Sequence, residues 1–149
     1  MAIREATEGD LPALMPLLRG YCAFYESDPT DEGLEAMARA TIGAPEDQAF
    51  LLVATDDGSG EVVGFAACQW KWSALRGARM VLLDDLFVAE ASRGAGHADA
   101  LIEATADVAR RHGAPVVIWY TQATNLRAQG VYNRVGGSSE EMLEYELSL

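Results

Sequence analysis

An α/β (α+β) fold, with a mixed, mostly antiparallel central sheet and helices on both of its faces, is predicted by three observations. Strand-like runs at residues 50–55, 61–72 and 78–88 follow one another across short turns, which makes an antiparallel meander. Segments of helical period stand on either side of that meander. A further apolar strand at 116–121 comes only after one of those helices, so the sheet is mixed and both faces are covered.

The elements follow in order. Residues 2–6 alternate and open the sheet as a short strand, and Thr7 or Asp10 caps a helix that runs to about Ser27. Pro12 suits its first turn, Pro16 removes an interior hydrogen bond and is expected to kink it, and Asp28-Pro29 ends it. A second helix covers 31–42, with Leu34, Met37, Ala38 and Ile42 on its apolar side. In the meander, Asp56-Asp57-Gly58-Ser59-Gly60 is a turn and Arg76-Gly77 a break. The helix at 96–112 sets Ala98, Leu101, Ile102, Thr105, Val108 and Ala109 at core spacing, and Gly113-Ala114-Pro115 stops it. A helix at 125–135 carries Ala128, Val131, Tyr132 and Val135 along one face, and a last strand is expected at 142–147.

The chain has 149 residues, half of them apolar, which suffices for one domain over 1–149 with its own core. Cys22 and Cys68 lack metal-like spacing and sit among apolar neighbours, so reduced core thiols are expected and no metal site. The first ten residues have neither the basic start nor the apolar run of a signal peptide, and no segment is long enough to cross a membrane. A cytoplasmic protein is therefore expected. A formal net charge of −12 repels nucleic acid and anionic lipid and favours a cationic partner, although it also serves solubility.

Chemistry concentrates in Leu83-Asp84-Asp85-Leu86-Phe87-Val88, followed after four residues by Arg93-Gly94-Ala95-Gly96-His97-Ala98 at a helix start. Unpaired N–H groups at a helix N-terminus hold a pyrophosphate, small residues let it approach, and Arg93 adds positive charge. A dinucleotide fingerprint requires a third glycine where Asp99 stands, and the Gly-Lys-Ser/Thr of a P-loop occurs nowhere. NAD and ATP are thus set aside.

On these residues the segment resembles the coenzyme A pyrophosphate loop of the GNAT superfamily of acyl-CoA-dependent N-acetyltransferases. That family's pattern is Arg or Gln, two residues, Gly, one residue, and Gly or Ala, and Arg93, Gly96 and Ala98 fill it in register. Asn125, Ala128 and Tyr132 reproduce its later Asn-x-x-Ala-x-x-x-Tyr helix, and the element order is similar along essentially the whole chain. The strand at 83–88 resembles the form seen in polyamine and small-amine acetyltransferases. Two positions depart from the pattern: His97 stands where an aliphatic residue is usual, and Gly137 where an aromatic one is. At a helix N-terminus His97 disfavours its own protonation, and its side chain is expected to face solvent or the phosphates.

The resemblance implies an enzyme that moves acetyl from acetyl-CoA to a primary amine of a small molecule, releasing coenzyme A. Leu86, Phe87, Val88, the loop from Arg93 to Ala98, and Asn125 with Ala128 would bind the cofactor. A free alkyl amine titrates near ~10, so something takes its proton, and Asp84 and Asp85 are the candidates. In a regular strand they lie on opposite faces; the resemblance places a bulge there that splays this strand from the next. It also implies that N–H groups around Phe87 and Val88 polarise the carbonyl, and that Tyr132 protonates the departing thiolate. Spacing alone reads Tyr132 as a core aromatic on an amphipathic helix, and it is the resemblance that gives it the proton-donor role.

For the acceptor, Tyr21, Phe24, Tyr25 and Glu26 end the first helix, and Trp70 and Trp72 share one strand face, so together they are expected to wall a pocket for a cation. Trp70 and Trp72 read equally as sheet packing. The alternative to the enzyme is a non-catalytic module that binds acyl-CoA as a sensor. A homodimer fits the resemblance.

Overall fold

A computed structural model describes all of residues 1–149. Strand β1 (Ala2–Glu5) leads through a 3-10 turn (Glu8–Asp10) into α1 (Leu11–Phe24), and α2 (Asp31–Ile42) follows. The meander is β2 (Ala49–Thr55), β3 (Val62–Ser73) and β4 (Ala78–Val88). A second 3-10 turn (Glu90–Ser92) precedes α3 (His97–Arg111), β5 (Val117–Ile118) and α4 (Leu126–Arg134). The five strands lie in chain order; the first three pairings are antiparallel and β4 runs parallel to β5. The mixed, mostly antiparallel sheet between helices is the predicted fold class.

The local signals are chemical. Asp10 accepts from the Thr7 N–H at 2.7 Å and from both Nη atoms of Arg4 at 2.8 and 2.7 Å, which ties β1 to the entry of α1. Those hydrogen bonds, Arg4's first, hold its carboxyl well below the usual carboxylate range. Thr30 caps α2 by accepting from the Gly33 N–H at 3.1 Å. Helix α1 continues through Pro16.

Period-2 strands divide their side chains between two cores. Phe50, Leu52, Ala54, Ala66, Cys68, Val81 and Leu83 pack with Leu101, Ile102, Val108 and Ala109 of α3. From the opposite face Leu51, Val53, Phe65 and Ala67 pack with Leu14, Leu17, Leu18 and Cys22 of α1 and Leu34 and Ala38 of α2. Both cysteines are free and buried. Burial pushes the Cys68 thiol up to about 12. No helix is long and apolar enough to cross a membrane.

Two expectations at the C-terminal end are corrected. The strand expected at 116–121 shrinks to two residues, paired only as Val81 with Val117 and Leu82 with Ile118. The strand expected at 142–147 is absent, and Leu143, Tyr145 and Leu147 are exposed. A strand persists through its neighbour's ladder, and a two-residue β5 offers too short an edge to hold one.

Candidate active site

The site begins with a break in register. Ala67 pairs with Asp85 but Cys68 pairs with Leu83, so Asp84 is an extra residue in β4. Such a bulge shifts the phase of every side chain beyond it. Val81 and Leu83 before it, and Leu86 and Val88 after it, all face α3, whereas a regular strand would have sent the second pair to the other side. Phe87 packs with the α1 core.

The bulge brings both aspartates toward α1. Asp84 lines a small open cavity with Tyr21, Tyr25, Leu83, Leu86, Trp119, Tyr120 and Tyr132. The Asp85 carboxyl lies beside the Tyr21 hydroxyl. Burial raises the Asp84 carboxyl, Asp85 raises it further, and the Gln69 side chain lowers it in part. Burial also raises Asp85, against the lowering by Tyr21. No Lys or Arg lines the cavity, so neither carboxylate meets a compensating cation there.

The opposite wall comes from α4. Asn125 caps that helix by accepting from the Ala128 N–H at 3.2 Å, which sets Tyr132 two turns on. Burial first, then the nearby Tyr25 phenol, raises the Tyr132 hydroxyl. Its ring meets Trp119 edge-on, with centroids 5.5 Å apart. Across the cavity Tyr21 stacks among Tyr25, Phe65 and Phe87 at 5.0, 6.1 and 6.4 Å.

Past Leu82, β4 has no strand partner on its outer side. The Ala89 N–H bonds to the Val63 carbonyl on the β3 side at 2.8 Å, and strand N–H groups alternate in direction. Leu86 and Val88 therefore present their N–H groups to the open edge, while that of Phe87 turns toward β3. Arg93 closes the end of this edge, its Nε donating to the Val88 carbonyl at 3.0 Å and its guanidinium 5.5 Å from the Phe87 ring centre.

The loop before α3 has Gly94 and Gly96 at φ 88° and 85°, the left-handed region glycine favours, and Gly96 caps the helix. A Cβ on Gly94 would meet nothing within 4 Å, so the concavity is open. Ala95, Gly96 and Ala98 complete that turn, and the first amides of α3 head it. The Thr121 hydroxyl, just past β5, is buried without a partner. An open loop of unpaired amides, an unpaired strand edge and an orphaned hydroxyl along the split between β4 and β5 fit a long ligand carrying phosphates at one end and amides in its arm.

Of the two placements expected for His97, the solvent-facing one is corrected: the side chain is buried, 4% exposed, with Nδ1 unpartnered. It occupies a core position under the loop, as an aliphatic residue would. Of the acceptor candidates, Tyr21 and Tyr25 reach the cavity and the others do not. Phe24 is exposed, and Glu26 is exposed in a left-handed conformation at φ 55°. Trp70 lies on the α3 face, donating to the Glu46 carbonyl at 2.8 Å under Arg79, and Trp72 is 73% exposed. Gln69, Trp119 and Tyr120 join the site without having been singled out; only the aromatic pair within the strand expected at 116–121 could have hinted at the last two.

The family model described as "Acetyltransferase (GNAT) family" matches residues 13–137. The uncharacterized N-acetyltransferase YhfO of Bacillus subtilis (strain 168) is 31% identical over 136 residues, 91% of this chain and 89% of that protein. An L-methionine sulfoximine/L-methionine sulfone acetyltransferase of Pseudomonas paraeruginosa is 26% identical, over 91% of this chain and 78% of its own. The crystal structure of a probable acetyltransferase superposes with a TM-score of 0.86 at 27% identity, covering 100% of this chain and 98% of the other.

Proposed function

Because the chain belongs to the acetyltransferase (GNAT) family, we propose that it transfers acetyl from acetyl-CoA to the primary amine of a small cationic molecule, by direct attack of the amine on the thioester. The observation that carries this reading is the bulge at Asp84, which puts a carboxylate and the Tyr132 phenol on one cavity at the mouth of the β4–β5 split.

The acceptor arrives as an ammonium and is drawn by the uncompensated carboxylates and the tyrosine faces. Asp84 takes its proton, and Asp85 behind it keeps the local potential negative. The neutral nitrogen forms its bond to the thioester carbon while the Leu86 and Val88 N–H groups face the oxygen that gains charge; donors so placed are worth roughly 3 kcal/mol. The carbon–sulfur bond breaks, Tyr132 gives its proton to the departing thiolate, and the second proton that the nitrogen sheds on becoming an amide restores the phenol. The raised phenol keeps that proton at working pH. Arg93 and the loop through Ala98 hold the phosphates, with Asn125 and Ala128 along the same cleft.

The methionine sulfoximine acetyltransferase relative suggests an amino-acid-like acceptor. The lining argues for a different one: a substrate carboxylate would enter beside Asp84 and meet no Lys or Arg. Diamines and other amines lacking a carboxylate suit it better. Cytoplasmic work on a small molecule accords with this reading.

The test is thiol release from acetyl-CoA, read with a chromogenic reagent against diamines, aminoglycosides and amino acids at mildly alkaline pH. Amine-dependent release, greatest for acceptors without a carboxylate, is expected. Binding of acetyl-CoA with no release on any amine would replace the enzyme with a non-catalytic acyl-CoA sensor.

A further inference from the structure

Helix α4 ends in a double closure. The Gly136 N–H donates to the Asn133 carbonyl at 3.1 Å and the Gly137 N–H to the Tyr132 carbonyl at 2.9 Å, with Gly136 at φ 86°. This is the Schellman arrangement, in which the residue at the position of Gly137 ordinarily lays an apolar side chain against the residue at the position of Tyr132. Glycine has none to offer.

Trp119 takes the vacated space. A Cβ on Gly137 would stand 3.1 Å from Trp119 Cζ2 and 2.9 Å from the Tyr132 carbonyl oxygen, so the indole occupies the volume a side chain there would need. The same indole meets the Tyr132 ring edge-on and lines the cavity. The aromatic wall behind Tyr132 is thus supplied from the strand side of the cleft, by the residue just after β5, where the chain leaves the sheet.

We propose that Trp119 is the positioning residue of the transfer reaction: admitted by the side-chain-less Gly137, its indole fixes the Tyr132 ring so that the hydroxyl points into the cavity beside Asp84. The proposal rests on the transferase reading for its chemical consequence, though not for the packing. Tyr132 pivots about two side-chain torsions, and its hydroxyl serves the leaving sulfur only within hydrogen-bond reach. Its helix fixes the Cα; the indole fixes the ring. Trp119 itself transfers no proton and makes no bond to the reacting atoms.

The test combines kinetics with tyrosine-ring NMR on Trp119→Ala, Trp119→Phe, Tyr132→Phe and the double variant Trp119→Ala/Tyr132→Phe of the full chain. Trp119→Ala is expected to lower kcat about tenfold or more while the acetyl-CoA KM stays within about threefold, and Trp119→Phe to keep most of kcat. In the Tyr132→Phe background, Trp119→Ala is expected to cost less than about twofold further, because the group it serves is already gone. Fully additive losses, or an unchanged kcat in Trp119→Ala, would overturn the proposal.

The NMR arm needs no turnover. The Tyr132 ring signals are expected to carry the indole's ring-current shift and to lose it in Trp119→Ala, with a smaller change in Trp119→Phe should the alanine variant not fold. Unmoved signals would overturn the packing relationship. Absence of thiol release by the unsubstituted protein with moved signals would instead sink the transferase reading and leave the positioning of the ring standing.

Discussion

Arg134 grips Asp99 with two nitrogens, Nε at 2.9 Å and Nη2 at 2.8 Å, and so fastens the end of α4 to the first turn of α3. One helix carries the candidate proton donor and the other the phosphate loop. The pair is solvent-accessible, so its contribution to stability is small, about 1 kcal/mol at most. Its bidentate geometry orients rather than holds. Arg134→Ala is expected to lower kcat/KM about three- to tenfold and to shift the melting temperature by no more than about 4 °C. Kinetics and thermal melts together check this; a large loss of melting temperature at unchanged turnover would reduce the bridge to scaffolding.

Asp85 opposes folding where it is ionised. Burial raises its carboxyl above the unfolded value, so the charged form is penalised in the folded state, and the penalty disappears as pH falls through the raised value. Asp85→Asn is expected to raise the melting temperature at pH 8 and to give no gain at pH 4. Melts at the two pH values decide it, and equal gains at both would assign the effect to packing instead.

The pH dependence of turnover should show two limbs. The acidic limb of kcat/KM is expected above the ordinary carboxylate value of ~3.9, because burial and Asp85 both raise Asp84. The Tyr132 proton is expected to persist beyond the ordinary phenol value of ~10. Asp84→Asn and Tyr132→Phe should each lower kcat tenfold or more, roughly, the first removing the acidic limb and the second the alkaline one. Limbs that survive their own substitution would point to groups of the acceptor.

Gly20 lets α1 close on β4: a Cβ there would stand 2.8 Å from Phe87 Cζ and 3.1 Å from Cε1. Overpacking of this kind costs about 1–3 kcal/mol, against a gain in helix propensity of up to about 1 kcal/mol. Gly20→Ala is expected to destabilise the protein by about 1 kcal/mol in denaturant melts and, by displacing Tyr21, to raise the amine KM more than that of acetyl-CoA. A stabilised variant would mean that Phe87 gives way freely.

Period and punctuation made most elements legible: Asp31–Ile42 and Ala78–Val88 stand where the pattern placed them, and the other helices within a few residues. The bulge left no such mark: Met80 to Leu83 and Leu86 to Val88 are both unbroken apolar runs, so the letters show no change of phase across Asp84. Pattern failed where a partner decides. The alternation of 142–147 is strand-like, yet no edge receives it. Trp70 and Trp72 alternate correctly, but the hairpin carries them beyond the cavity, beside Val81 and Arg79. The exchange between Gly137 and Trp119 joins two segments whose contact no local pattern encodes.

The extra residue in β4 is locked from both sides. Its identity is free to change, as Asn or Glu at residue 84 would leave the strand's course alone. Its presence is not. Deleting it would carry Leu86 and Val88 to the α1 side and Phe87 to the α3 side, so three core-facing side chains would trade environments in one step. The hydrophobic cores on the two faces of the sheet thus act as a reading frame, and the cleft survives any point change at residue 84 because a change of length there would scramble the fold.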